Sequence, residues 1–157
     1  MAEDSEEDEI LFFGALRRSG LTNPVNVVLN GEEAISYLSG DFRYRDRDRF
    51  PLPRILLLDL AMPKVDGWQV LRWARSRPQF DDILIVVLAG AIQVHELRNA
   101  YRMGADSFLI KPCTVEDLWN LEKAFPAQWT RPALNRGSIG AARPPSEARQ
   151  TQESSVS

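Results

Sequence analysis

Residues 54 to 67 read Arg54-Ile55-Leu56-Leu57-Leu58-Asp59-Leu60-Ala61-Met62-Pro63-Lys64-Val65-Asp66-Gly67. The apolar run Ile55 to Leu58 is too short for a useful helix and has no period-2 polarity, so it suits a strand buried on both faces of a parallel sheet. Asp59 ends that strand. A carboxylate in this position is costly to bury, unless it stands at the carboxyl edge of an α/β sheet, where ligands bind. Pro63 removes a donor and disfavours helix at Met62, and Asp66-Gly67 is a turn or capping dipeptide before the next helical run.

The flanking segments fit the same class. Ile10, Leu11, Phe13 and Leu16 recur at roughly helical spacing before Ser19-Gly20. The acids Glu6, Glu7, Asp8 and Glu9 at the start of that helix read as charges favoured by its dipole and as solvated surface. Val25, Val27, Val28 and Leu29 make a strand, turned by Asn30-Gly31 into a helix over 32–38. The mixed Arg/Asp stretch 40–53, with Phe42, Tyr44 and Phe50, reads as a solvated loop, a partner-docking surface being the alternative. A helical period after Gly67 carries Trp68 and Trp73 as packing residues and ends before Pro78. Ile83 to Leu88 is a second buried strand, and Val94, Leu97, Ala100 and Tyr101 mark a helix stopped at Gly104. His95 on that helix reads as a surface or boundary residue. The last strand is Ser107 to Ile110, closed by Lys111-Pro112, and Thr114 with Asp117 caps a final helix carrying Leu118, Leu121 and Phe125.

Asp59 with Met62-Pro63 and Asp66-Gly67, then Gly104-Ala105-Asp106 and Phe108-Leu109-Ile110-Lys111-Pro112, resembles the receiver domain of two-component response regulators. The likeness spans about Glu3 to Ala124, and the loop at 41–53 is similar to that of phytochrome-associated single-domain regulators. The resemblance implies a flavodoxin-like receiver fold, a doubly wound parallel sheet in the order 2-1-3-4-5. It further implies a phosphorelay in which Asp59 takes a phosphoryl group from a sensor histidine kinase, a bacteriophytochrome among the candidates. Mg2+ would be held by Glu3, Asp4, Asp59 and the Ala61 carbonyl, with Lys111 and the Gly90 amide stabilising the phosphoryl group. Ala89 and Phe108 match the switch positions. Output would be protein–protein contact, with a homodimer among the implied assemblies; the chain would promote transfer onto its own aspartate without being a turnover enzyme.

Two features depart from the family pattern. The acidic pair normally follows a short apolar strand, and only Met1-Ala2 stands before Glu3, so the first strand is expected to be missing and Val25 to Leu29 to lack a neighbour there. Losing about four buried aliphatic side chains, at ~1.5 to 3 kcal/mol each, removes as much as a domain's whole stability, which leads us to expect a truncated or misassigned start. Ala89 stands where the family places a threonine or serine, in Leu88-Ala89-Gly90-Ala91. A hydroxyl bond to a charged group contributes ~1.5 to 3 kcal/mol, so its loss weakens the active-state bias. The alternative reading is a degenerate receiver that binds a partner without phosphate. A dehalogenase-type hydrolase is disfavoured by Ala61, where such enzymes need a second acid, and no Gly-rich loop before Lys-Ser or Lys-Thr supports a P-loop NTPase.

Composition agrees. A 157-residue chain that is 44% hydrophobic and 26% charged suits one domain, here 1–125, with a Pro-, Ser- and Arg-rich extension at 126–157 expected to be mostly disordered. Net charge −3 and a pI near 5.3 give no reason to bind nucleic acid. One cysteine, Cys113, and one histidine exclude a disulfide framework and a Cys/His zinc site. No apolar run reaches membrane-span length, and a cytoplasmic setting is expected.

Overall fold

The computed structural model describes residues 1–90 and 94–129, with the backbone alone for Val94 and His95. The expectations for the extension from 130 onward and for the His95 side chain lie outside these residues. Three parallel strands, β1 (Ile55–Asp59), β2 (Leu84–Ala89) and β3 (Ser107–Ile110), form a sheet in that order, with Leu58 opposite Val87 and Leu88 opposite Leu109. Helices α1 (Glu6–Ser19), α2 (Gly31–Ser39), α3 (Gly67–Arg75), α4 (Val94–Arg102) and α5 (Val115–Ala124) flank it.

The uninterrupted apolar strands are explained by a core on each face. Successive strand side chains point to opposite sides. Leu56, Leu58, Ile85 and Val87 pack with residues of α2 and α3 such as Leu38, Val70 and Leu71. Leu57, Leu84, Val86, Leu88 and Leu109 pack with Phe12 and Leu16 of α1 and Leu118 and Leu121 of α5. Local signals set the helix ends: Ser5 accepts from the Asp8 amide, Gly20 and Gly40 close α1 and α2 in the left-handed region, and Asp66 and Thr114 form capping boxes with Gln69 and Asp117.

The first strand is reduced to a stub. Ala2 bridges Val28 on one side and Leu58 of β1 on the other, both in parallel, so the spatial order follows 2-1-3-4-5. The strand expected over Val25 to Leu29 is not formed. It pairs only at Val28, and Leu29 is exposed, because a strand needs a neighbour along its length and only Met1 to Glu3 supply one.

The Arg/Asp loop is also not simply solvated. Tyr44 is buried and packs with Tyr37 and Phe50 in a cluster of rings 5.0 to 6.0 Å apart. Arg47 ties the loop down: its guanidinium donates to the carbonyls of Tyr37 (2.8 Å), Leu38 (2.7 Å) and Phe50 (3.2 Å). Gly40 is required beside it, since its φ is +75° and a Cβ would lie 2.6 Å from Arg47 Nη2. Charge alternation hid this because Tyr44 and Phe50 turn in between mostly exposed charged residues, while Phe42 stays exposed and Arg47 bonds only backbone carbonyls. Pro126–Gln128 form a short 3-10 turn, and Trp129 packs on the α1/α5 side.

Replacing Arg47 by alanine orphans three carbonyls at once. We expect Arg47→Ala to lower unfolding stability by about 2 to 4 kcal/mol, read as a lower urea midpoint at unchanged slope.

Candidate functional site

The carboxyl ends of the strands bring together one lysine and four acids. β1 delivers Asp59, whose side chain is only 4% exposed. The stub strand delivers Glu3, fully buried, and Asp4, exposed, at the mouth of α1. β3 delivers Lys111, whose backbone amide donates to the Ala89 carbonyl at 2.8 Å and so fixes where the side chain begins. The Lys111–Pro112 peptide bond is cis.

Lys111 Nζ lies 3.3 Å from Asp59 Oδ2, 3.2 Å from Glu3 Oε2 and 2.8 Å from Asp8 Oδ2. Asp8 is the residue that sequence reading missed. It lies in the first turn of α1, where an acid reads as dipole charge and solvation, yet it makes the shortest ion pair to the lysine. Its distance from Glu3 along the chain, close to one helical turn past the cap, was the available signal. Among the described residues Lys111 pairs with Glu3, Asp8 and Asp59, while Glu6 and Glu7 are exposed and Glu9 half-buried, which fits the surface reading.

Carboxylate oxygens of Glu3, Asp4 and Asp59 all lie within 4.8 Å of one another. Four carboxylates against one ammonium leave the pocket strongly negative, and an all-oxygen, partly solvated donor set suits a hard divalent cation such as Mg2+. The main chain contributes too. The Ala61 amide donates to Asp59 Oδ1 at 3.1 Å and the Ser5 amide to Glu3 Oε1 at 3.0 Å. Gly67 lets α3 approach, because a Cβ there would lie 2.1 Å from the Asp59 carbonyl oxygen. Ala89 is buried at the end of β2, Gly90 beside it is exposed, and no hydroxyl stands at either position. Phe108 is half-buried, edge-on to Tyr101 with ring centres 6.3 Å apart.

Electrostatics follow from burial and crowding. Burial raises the Glu3 pKa; the Ser5 amide opposes this, the Asp59 charge adds to it, and Lys111 opposes it again. Burial by itself would depress Lys111, but the hydrogen bond to Asp8 and the charges of Asp59 and Glu3 outweigh it, and its pKa is raised. Lys111 is therefore cationic at any physiological pH.

Residues 2–122 match the response regulator receiver domain family. The chain belongs to that family. The receiver is 33% identical to the probable methanogenesis regulatory protein FilR2 of Methanothrix harundinacea, over 82% of this chain and 81% of that one. Its fold is similar to that of the bacteriophytochrome response regulator RtBRR (34% identity, TM-score 0.69, 76% of this chain and 71% of that one). It is likewise similar to the Mn2+-bound form of response regulator Rcp1 (27% identity, TM-score 0.66, 84% and 96%). The relatives thus include the phytochrome-associated regulators. No helix among the described residues of the receiver is long and apolar enough to cross a membrane.

A carboxyl whose pKa is raised by folding binds its proton more tightly in the native state, so the associated stability is present at low pH and lost as pH rises through the folded value. In metal-free buffer at pH 7, Glu3→Gln should therefore unfold at a higher temperature than wild type. The gap should close as pH falls below the ordinary glutamate value of 4.5. Added Mg2+ should stabilise the wild type more than the variant, as thermal melts would record.

Proposed function

We propose that this receiver accepts a phosphoryl group on Asp59 from the phosphohistidine of a sensor histidine kinase and passes the signal on by protein–protein contact. The observation that carries the reading is a buried aspartate at a strand end, within 3.3 Å of a lysine and clustered with an acidic pair. The kinship with bacteriophytochrome response regulators makes a bacteriophytochrome kinase the first partner to test.

An Asp59 carboxylate oxygen attacks phosphorus in line, forming the O–P bond as the N–P bond to the kinase imidazole breaks; the departing nitrogen keeps the electron pair and takes up a proton. Glu3, Asp4, Asp59 and the Ala61 carbonyl would hold Mg2+, which supplies charge neutralisation at the phosphoryl oxygens. Lys111 is the second positive group. Its ammonium already bridges Glu3, Asp8 and Asp59 and needs only to follow the charge as it moves outward onto the phosphoryl oxygens. The Ala61 and Gly90 amides supply neutral donors there.

Ala89 limits the consequence of phosphorylation. A switch position without a hydroxyl cannot grip the phosphoryl group, so the active state is less favoured. The same observation supports a second reading, a receiver that docks its partner without phosphate. The two separate cleanly: acetyl phosphate with Mg2+ should add one phosphoryl mass, mapped to Asp59 and absent in Asp59→Asn. No adduct on the wild type would leave only the docking module. Under beryllofluoride, Ala89→Thr should raise the active-state population about tenfold or more, seen as larger NMR shift changes around Phe108.

A further inference from the structure

Among the described residues, carboxylate oxygens of Glu3, Asp4 and Asp59 converge as donors for a cation, and Asp8 stands outside that group. It is nevertheless the nearest partner of Lys111. The ammonium lies 2.8 Å from Asp8 Oδ2, against 3.2 Å from Glu3 Oε2 and 3.3 Å from Asp59 Oδ2. These distances run against what burial alone favours, because a cation gains most beside the least screened anion. The Glu3 side chain is 0% exposed and that of Asp59 4%, while that of Asp8 is 27% exposed. The lysine leans toward the most solvated of its three acids.

The local chain fixes this lean. The Asp8 amide, in the first turn of α1, donates to the Ser5 hydroxyl at 3.3 Å, while the Ser5 amide donates to Glu3 Oε1 at 3.0 Å. One serine therefore holds the acids on two sides of the lysine. The Glu9 amide donates to the Ser5 carbonyl at 3.0 Å and closes the helical turn around it. Lys111 begins from a backbone amide pinned to the Ala89 carbonyl, so its ammonium shifts among the three acids by side-chain rotation. Burial disfavours the Lys111 charge, and the hydrogen bond to Asp8 is the largest of the contacts that outweigh it.

We propose that Asp8 is a positioning residue that sets how the site divides its affinity between a divalent cation and a phosphoryl group. By drawing the Lys111 ammonium outward it leaves Glu3 and Asp59 open to the cation, and by holding the ammonium it opposes the incoming anion. The inference rests on the reading of Asp59 as the phosphoacceptor. Removing the Asp8 charge has two consequences of opposite sign. The ammonium turns wholly to Glu3 and Asp59 and competes there with the cation, in a pocket that is also less negative. Phosphorylation, which makes the Asp59 position more negative, then finds the lysine unshared with Asp8 and one repelling carboxylate fewer. Unit charges a few ångströms apart at a protein edge interact strongly enough to change a binding constant about tenfold.

The test uses the full chain and the variant Asp8→Asn, which keeps the side-chain shape and the helix amide bond but not the charge. Mg2+ titrated alone, followed by isothermal titration calorimetry, should bind Asp8→Asn about threefold to tenfold more weakly than wild type. At saturating Mg2+, beryllofluoride should bind the same variant about tenfold more tightly, read by NMR titration. General damage would weaken both ligands and general stabilisation would tighten both, so crossed signs separate positioning from a structural role. Glu7→Gln removes an exposed charge from the same turn and should stay within about twofold of wild type for both ligands. Asp8→Glu, which keeps the charge, should lie closer to wild type than Asp8→Asn. Shifts of the same sign, no shift, or an equal effect of Glu7→Gln would overturn the role of Asp8 and leave the phosphoacceptor reading intact. A wild type that takes up neither beryllofluoride nor a phosphoryl adduct from acetyl phosphate instead sinks that reading, and this inference with it.

Discussion

Everything at this sheet's carboxyl edge is arranged around one excess of negative charge. Four carboxylates converge where a single ammonium can reach three of them, and two of the acids are buried. Such a cluster is costly in isolation, because desolvated like charges repel and nothing in an apolar core screens them. Lys111 offsets part of that cost, and the remainder is a standing attraction for a divalent cation.

The scaffold that holds the imbalance is stiff where it must be. Asp59 and Lys111 come from strands separated by β2, and each strand is clamped between two cores, so the distances at the edge are set by strand spacing rather than by side-chain freedom. Gly67 brings the α3 start against Asp59. By contrast, among the described residues the link between β1 and the Val28 segment runs through Met1 to Glu3, and Asp4 follows directly on it.

Much was legible beforehand because it was local. The apolar runs at 55–58 and 83–88, the cap residues Thr114 and Asp66, and the stop at Gly104 each act through their own neighbours in sequence. Asp59, Lys111, Glu3 and Asp4 were legible through motif likeness, and the fold does bring them together. Asp8 was not, since helix-start acids normally have no need of a distant partner. Nor was the inward turn of Tyr44 and Phe50, because the guanidinium that anchors them bonds to carbonyls, which no side-chain pattern advertises.

The sequence by itself determined the class of sheet, the family, and the identity of the groups at its edge, because periodicity, capping and motif spacing are properties of short stretches. Tertiary structure alone decided that Lys111 is shared by Glu3, Asp8 and Asp59, and that Val25 to Leu29 stays unpaired except at Val28. Both depend on which distant backbone lies alongside. Ion pairing falls off over a few ångströms and a ladder needs a neighbour at one spacing, so neither exists until the chain has closed on itself.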